Sequence, residues 1–270
     1  MEHPSGLSVT EHVPAHRRPG DPVVVFVHGA LDRSTSFARV VRRLPDLHTL
    51  AYDRRGYHRS NDALPLNTTL DGHVDDLLAV IGGRPAVVVG HSFGGTVALA
   101  AALRHDPPST IVSLAAFEPP LPWLEVWTRQ APARRVRPPG QDPAEAAEHF
   151  FRRMVGDSAW DRLPESAKDA RRADGPALVA ELDAIRLDEA PFDVTAMPIP
   201  SLFGRGELSI DRHRQGVAWL AEHVPGSELM DIPGAAHGAH LSHPDGFAGF
   251  VRRAVDRSAI RIPDGSEVLQ

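Results

Sequence analysis

The sequence predicts an α/β protein: a doubly wound, mostly parallel sheet with a helical lid inserted between two of its strands. Three observations predict it. Short, almost unbroken apolar runs rich in β-branched residues recur along the chain, as strands buried on both faces of a parallel sheet require. Between them lie amphipathic stretches long enough to be crossover helices. The rhythm breaks once, over residues 119–198, where no strand pattern occurs.

The strands follow in order. Val23 to Val27, after Pro22, is the first buried run. Leu47 to Tyr52 is the next, ending at Asp53, and Ala86 to Val89 follows, ending at Gly90. Thr110 to Phe117, Pro200 to Phe203 and Glu228 to Ile232 complete the set. Leu7 to Val13 alternates weakly and suits a single edge strand. Helices are expected over Ser34–Leu44, Leu70–Ile81, Thr96–Leu103, Arg212–Val224 and Pro244–Val255. The second has its apolar residues at helical spacing and stops at Gly82-Gly83. These elements divide the chain into a sheet domain, 1–118 with 199–270, and a helical lid, 119–198. Pro132 to Pro143 reads as an exposed loop inside the lid, and Pro263 to Gln270 as a tail.

Composition narrows the chemistry. The 270 residues contain no cysteine, which excludes a thiol nucleophile, a disulfide framework and Cys-ligated metal. Lys168 is the only lysine among 29 basic residues, and it sits in a charged stretch, so a Schiff-base mechanism is not expected. The net charge of −6 lacks the basic surplus of a nucleic-acid-binding domain. No apolar run reaches the ~18–20 residues of a membrane span. Residues 1–20 show no apolar signal-peptide core, so a soluble cytoplasmic protein is expected. The 15 histidines are the open question of the composition.

One motif carries the chemistry. Gly90-His91-Ser92-Phe93-Gly94-Gly95 follows a strand directly and opens a helix. That is the context of a G-x-S-x-G nucleophile elbow, where a Ser sits on a strained turn and its neighbours two away must be tiny. The helix N-terminus beyond it presents N–H groups and a positive dipole end to a developing oxyanion. His28-Gly29-Ala30 follows the first buried strand. The N–H groups of Phe93 and Ala30 are the expected oxyanion-hole donors, with His28 and His91 flanking them as supports or substrate contacts.

These pieces together resemble the α/β-hydrolase fold family, of the lid-bearing serine hydrolase type. The matching stretches are His28-Gly29, Asp53-Arg54-Arg55-Gly56-Tyr57 to Ser60, the elbow at Ser92, and Pro233-Gly234-Ala235-Ala236-His237. They fall in the family's usual order and span almost the whole chain. His58 stands where a Gly is common, and the first 20 residues are short for the family's leading hairpin. The resemblance implies a chain order of Ser, acid, His. It points to His237 as general base, with His240 as its rival and His243 three residues further on. For the acid, three positions stay open. Glu118 ends a strand, the position used by haloalkane dehalogenase-like members and favoured here; Glu207 and Asp211 flank Ser209, which occupies the commoner position but cannot supply a charge.

A Ser at the elbow makes acyl transfer the natural reaction. The expectation is a serine hydrolase cleaving a carboxylic ester, lactone or thioester of a small, largely apolar molecule. Trp123 and Trp127, near the lid hinge, are expected to face substrate, and Phe150, Phe151 and Met154 could add to an apolar pocket. Two other readings are carried: a triad enzyme of another reaction type, such as a C–C bond hydrolase, a perhydrolase or a secondary-metabolism step, and a receptor-like ligand-binding protein on the same fold. No cofactor is expected and no metal site, since His237, His240 and His243 lack the H-E-x-x-H pattern. The expected partner is a small-molecule substrate, with no nucleic acid and no membrane; the oligomeric state is not legible.

Overall fold

The computed structural model describes residues 3, 5–16, 18, 20–104, 110–130, 140–187 and 189–259. Seven strands form one sheet: β1 (Val9–His12), β2 (Val23–Val27), β3 (Thr49–Tyr52), β4 (Ala86–His91), β5 (Ile111–Phe117), β6 (Ser201–Gly206) and β7 (Glu228–Ile232). Their spatial order is β1-β3-β2-β4-β5-β6-β7. Only β1 runs antiparallel, pairing Val9 with Tyr52 at the sheet edge; β2 to β7 are parallel.

The unbroken apolar runs exist because both sheet faces are covered. Val23, Val25 and Val27 of β2, with Ala86 and Val88 of β4, face a layer built by α2 (Leu70–Ile81), α3 (Phe93–Ala102) and α9 (Asp211–His223). Val24 and Phe26, with Val87 and Val89, face the other layer, which α1 (Ala38–Val41) and α11 (Pro244–Arg257) supply through Val40, Phe247, Phe250 and Val251. Alternation along a strand sends successive side chains to opposite faces, so a strand covered on both faces needs apolar residues throughout. β7 departs from the expectation. It is an edge strand, and four of its five residues are only half-buried or exposed.

Between β5 and β6 the described residues hold helices and no strand. These are α4 (Glu125–Gln130), α5 (Pro143–Val155), α6 (Asp157–Asp161), α7 (Glu165–Ala173) and α8 (Gly175–Ala184). The loop expected over Pro132–Pro143 lies mostly outside the described residues, and its last residue opens α5. The expected tail lies wholly outside them. A short helix α10 (Ala239–Ser242) completes the set.

Several boundaries move. The Ser34–Leu44 helix is a 3-10 turn over Ser34–Phe37 running into the short α1. α3 starts at Phe93, three residues before the expected Thr96, because Gly94 and Gly95 sit inside its first turn rather than ahead of it.

The strand order fixes where a site can form. From β2 the chain crosses to β3 on one side of the sheet; β4 lies on the other side of β2. The loops leaving β2 and β4 therefore diverge, and the crevice outside the carboxyl ends of two such strands is where open α/β sheets bind ligands.

Candidate active site

Ser92 stands between β4 and α3 with φ 52° and ψ −129°. A non-glycine residue rarely holds a left-handed φ unless its surroundings enforce it. The enforcement is visible. A Cβ at Gly94 would come within 2.1 Å of Val27 O, and one at Gly90 within 2.4 Å of Gly94 O. Gly94 must be glycine for the turn to close against β2, and Gly90 for the first turn of α3 to fold back over β4. Phe93 is the first residue of α3, so its N–H belongs to the helix's unbonded first turn. Ala30, on the loop after β2, borders the cleft that contains Ser92.

His237 follows β7 on the loop before α10. Its Nδ1–H donates to Glu118 Oε2 at 2.7 Å. That bond leaves Nε2 as the ring's basic lone pair, the arrangement a general base needs. Glu118 follows β5 directly with a left-handed φ of 46° and is fully buried. Its other oxygen, Oε1, accepts the Gly206 N–H at 2.7 Å. Burial works to raise the Glu118 pKa, but hydrogen bonds from His213 and His237 overcome it and hold the carboxyl well below its ordinary value. A charged carboxylate is thereby kept in a dry place.

His213, in the first turn of α9, is the residue sequence reasoning missed. Its Nδ1–H also reaches Glu118 Oε2, at 3.0 Å, and its ring packs edge-on to that of His237 at 4.4 Å. Burial pushes its pKa down, against the pull of Glu118, so it acts as a neutral donor. No motif surrounds it, and only the packing of α9 on β6 brings it there.

The rival acids lie elsewhere. Glu207 Oε2 accepts the Gly234 N–H at 2.8 Å, which braces the loop before His237 rather than its ring. Asp211 is the first residue of α9, on the exposed surface. His240 borders the same cleft, but its Nε2 faces Asp32 Oδ2 at 3.3 Å, not Glu118. His243 bonds to neighbouring Ser242.

The flanking histidines separate. His91 borders the cleft, and its Nε2–H donates to His237 O at 2.8 Å, tying the Ser92 turn to the loop of His237. His28 does not reach the cleft. It is fully buried behind the loop, its Nδ1–H donates to Gly29 O, and its Nε2 accepts the Arg54 N–H at 2.9 Å. Burial, with Arg54 beside it, pushes its pKa down to about 3, so it is a neutral brace and not a substrate contact.

Trp123 and Trp127 are corrected in the same way. Trp123 packs on Phe192 in a separate surface depression, and Trp127 lies against His213, with ring centroids 5.2 Å apart. Short α4 packs against α9, which sets Trp127 against His213 rather than in the Ser92 cleft. The apolar wall of the Ser92 cleft comes instead from Leu31, Phe150, Phe151, Met154, Val155 and Leu241, around a volume of about 410 Å³.

Among the described residues, two groups place ligand-type atoms within 4.8 Å of one another: Glu118 with His213 and His237, and Asp32 with His91 and His240. In the first, hydrogen bonds between carboxylate and imidazole account for the clustering.

Buried Arg54 joins these parts. Its guanidinium donates to His28 O, Gly29 O and Glu181 Oε2 at 3.0, 2.9 and 2.6 Å, so one side chain fixes the loop after β2 and reaches α8 of the helical insertion.

The fold and the elbow define a hydrolase-type α/β enzyme. The model of the alpha/beta hydrolase family matches residues 24–250, and the chain belongs to that family. Lipase LipV of Mycobacterium tuberculosis (strain ATCC 25618 / H37Rv) is 32% identical over 176 residues, 64% of this chain; the matched part spans 60% of LipV's own length. A pimeloyl-[acyl-carrier protein] methyl ester esterase of Nitrosospira multiformis is 27% identical over 254 residues, covering 86% of this chain and 94% of that one. Among solved structures, the bromoperoxidase from Bacillus anthracis superposes with a TM-score of 0.70 at 20% identity, covering 93% of this chain and 95% of its own. The enol-lactonase from Burkholderia xenovorans LB400 does so with 0.68 at 21%, covering 93% and 97%. These two likenesses concern the fold. Among the described residues, no helix is long and apolar enough to cross a membrane.

Proposed function

We propose that the protein is a serine hydrolase that cleaves a carboxylic ester, lactone or thioester of a small, largely apolar molecule. The observation that carries this reading is the 2.7 Å bond from His237 Nδ1–H to buried Glu118, with Ser92 on the strained elbow of the same cleft. His237 Nε2 takes the Ser92 hydroxyl proton as Oγ attacks the substrate carbonyl. The tetrahedral oxyanion is held by the N–H groups of Phe93 and Ala30. His237 returns the proton to the leaving alkoxide, and Glu118 stabilises the imidazolium in between. Water then attacks the acyl-enzyme, with His237 taking its proton and returning it to Ser92 Oγ as the acid leaves. The helices between β5 and β6 act as the lid: Phe150, Phe151 and Met154 give it the apolar surface that would receive the acyl chain. The names of the sequence relatives, lipase and methyl ester esterase, favour the same reaction.

The test is turnover of a p-nitrophenyl ester series by purified protein. Saturable hydrolysis that falls by more than about 10³-fold in Ser92→Ala is expected, as loss of a triad nucleophile produces. Equal rates in both proteins would sink the reading.

A further inference from the structure

The cleft contains one cation that the proposed chemistry does not use. Arg171, on α7, borders the cleft beside Phe151, with its guanidinium 5.8 Å from that ring. One N–H, on Nη1, donates to Leu31 O at 2.8 Å, which ties α7 to the oxyanion loop. A guanidinium has five N–H donors and does not lose its charge in a protein. Among the described residues Arg171 forms no ion pair. Both nearby carboxylates are engaged elsewhere. Asp174 accepts the His58 N–H at 2.9 Å and faces Arg33 at 3.5 Å. Asp32 accepts from Ser36 Oγ–H at 3.0 Å and faces His240 at 3.3 Å. Burial, with Arg33 close by, disfavours the Arg171 charge, and Asp32 and Asp174 offset this only in part. A half-buried guanidinium on an apolar wall is costly unless it finds an anion, and a carboxylate matches its fork with two parallel hydrogen bonds.

We propose that Arg171 is a specificity residue that receives a carboxylate of the substrate, so that the cleft takes esters bearing a second, free acid group on an apolar chain. The preferred ligand is a monoanion. One guanidinium is available, and Asp32, held ionised on the same cleft, opposes a doubly charged group. The apolar stretch from Leu31 to Phe150, Phe151 and Met154 matches the methylene spacer. This assignment rests on the ester-hydrolase reading of the same site.

The experiment compares p-nitrophenyl monoesters of glutaric, adipic and pimelic acid with the same esters methyl-capped at the free acid. In wild type the charged member of the best pair exceeds its capped partner in kcat/KM by about 10- to 100-fold, the worth of a charge-assisted hydrogen bond, chiefly through KM. Arg171→Gln collapses that ratio toward one; Arg171→Lys keeps part of it, and this guards against a merely misfolded variant. A ratio of one in wild type, or a ratio unchanged in Arg171→Gln, overturns the proposal. A second readout needs no turnover. Monomethyl adipate should bind Ser92→Ala by calorimetry and lose at least tenfold in affinity when Arg171→Gln is added; absence of that loss overturns the proposal as well. Failure of the ester-hydrolase reading looks different, since neither charged nor capped esters would then be turned over.

Discussion

Glu118 holds three N–H groups on two carboxylate oxygens, and both imidazoles share one of them. That geometry does two things. It keeps the carboxyl charged despite burial, and it locks His237 in the tautomer with Nδ1 protonated. Glu118→Gln should therefore lower kcat by ~10²–10⁴, because an amide can neither stabilise the imidazolium nor impose that tautomer. Glu207→Gln should leave kcat within about threefold, since it braces only the Gly234 N–H. The reverse pattern would reassign the acid. From spacing alone Glu118, Glu207 and Asp211 could not be separated, because each sits at a strand or loop end and the distance to His237 depends on how the loops fold. His213 had no motif to announce it. For His28 the support role was read and is observed; the substrate contact offered beside it could not be separated, because a histidine after a strand reads the same whether its ring faces the cleft or the loop behind it.

At the scale of elements, the elbow is the most legible feature because its demands are local and steric. Gly94→Ala puts a Cβ 2.1 Å from Val27 O and 2.6 Å from His28 O, both backbone atoms at the end of β2 and the loop after it. The expected cost is at least about 3 kcal/mol, or no folded protein, read by urea unfolding. Gly249→Ala is the comparison. Its Cβ meets nothing within 4 Å on α11, so helix propensity alone should stabilise it by about 0.5–1 kcal/mol. Equal stabilities would contradict the packing described. Strand faces were legible for β2 and β4, where alternating valines fill both layers. They were less so for β7, because a period-2 pattern does not tell an edge from a centre. That Trp123 and Trp127 lie off the Ser92 cleft was not legible, because the sequence does not encode how the segment leaving β5 docks.

Across the whole molecule, the Ser92 cleft lies where the loops after β2 and β4 diverge, roofed by α5 and α7 and cross-tied through Arg54 and Arg171. The helical stretch between β5 and β6 could be read from the break in strand rhythm; the roof's contacts could not, because α7 carries no aromatic residue and buries no side chain fully, so no apolar stripe marks the face that docks. The histidines give the molecule a pH signature. Burial lowers the pKa of His28, His73, His91 and His213 in the fold. On acidification the unfolded chain takes up protons from about pH 6.5 while these rings stay neutral in the fold, so stability is full above that pH and falls below it. Each contributes at most about 1.4 kcal/mol per pH unit. Calorimetric Tm values should drop steadily between pH 7 and pH 5; a flat profile would mean that these rings are not held neutral.

A Ser92 nucleophile activated by His237 would trap an electrophilic phosphonate as a covalent adduct. The direct measurement is the intact mass of the protein, with peptide mapping, after treatment with a fluorophosphonate. One adduct per chain is expected, on Ser92, absent in Ser92→Ala and formed at least about 10³-fold more slowly in His237→Gln. An adduct on another residue, or labelling of Ser92 at the same rate without His237, would contradict it.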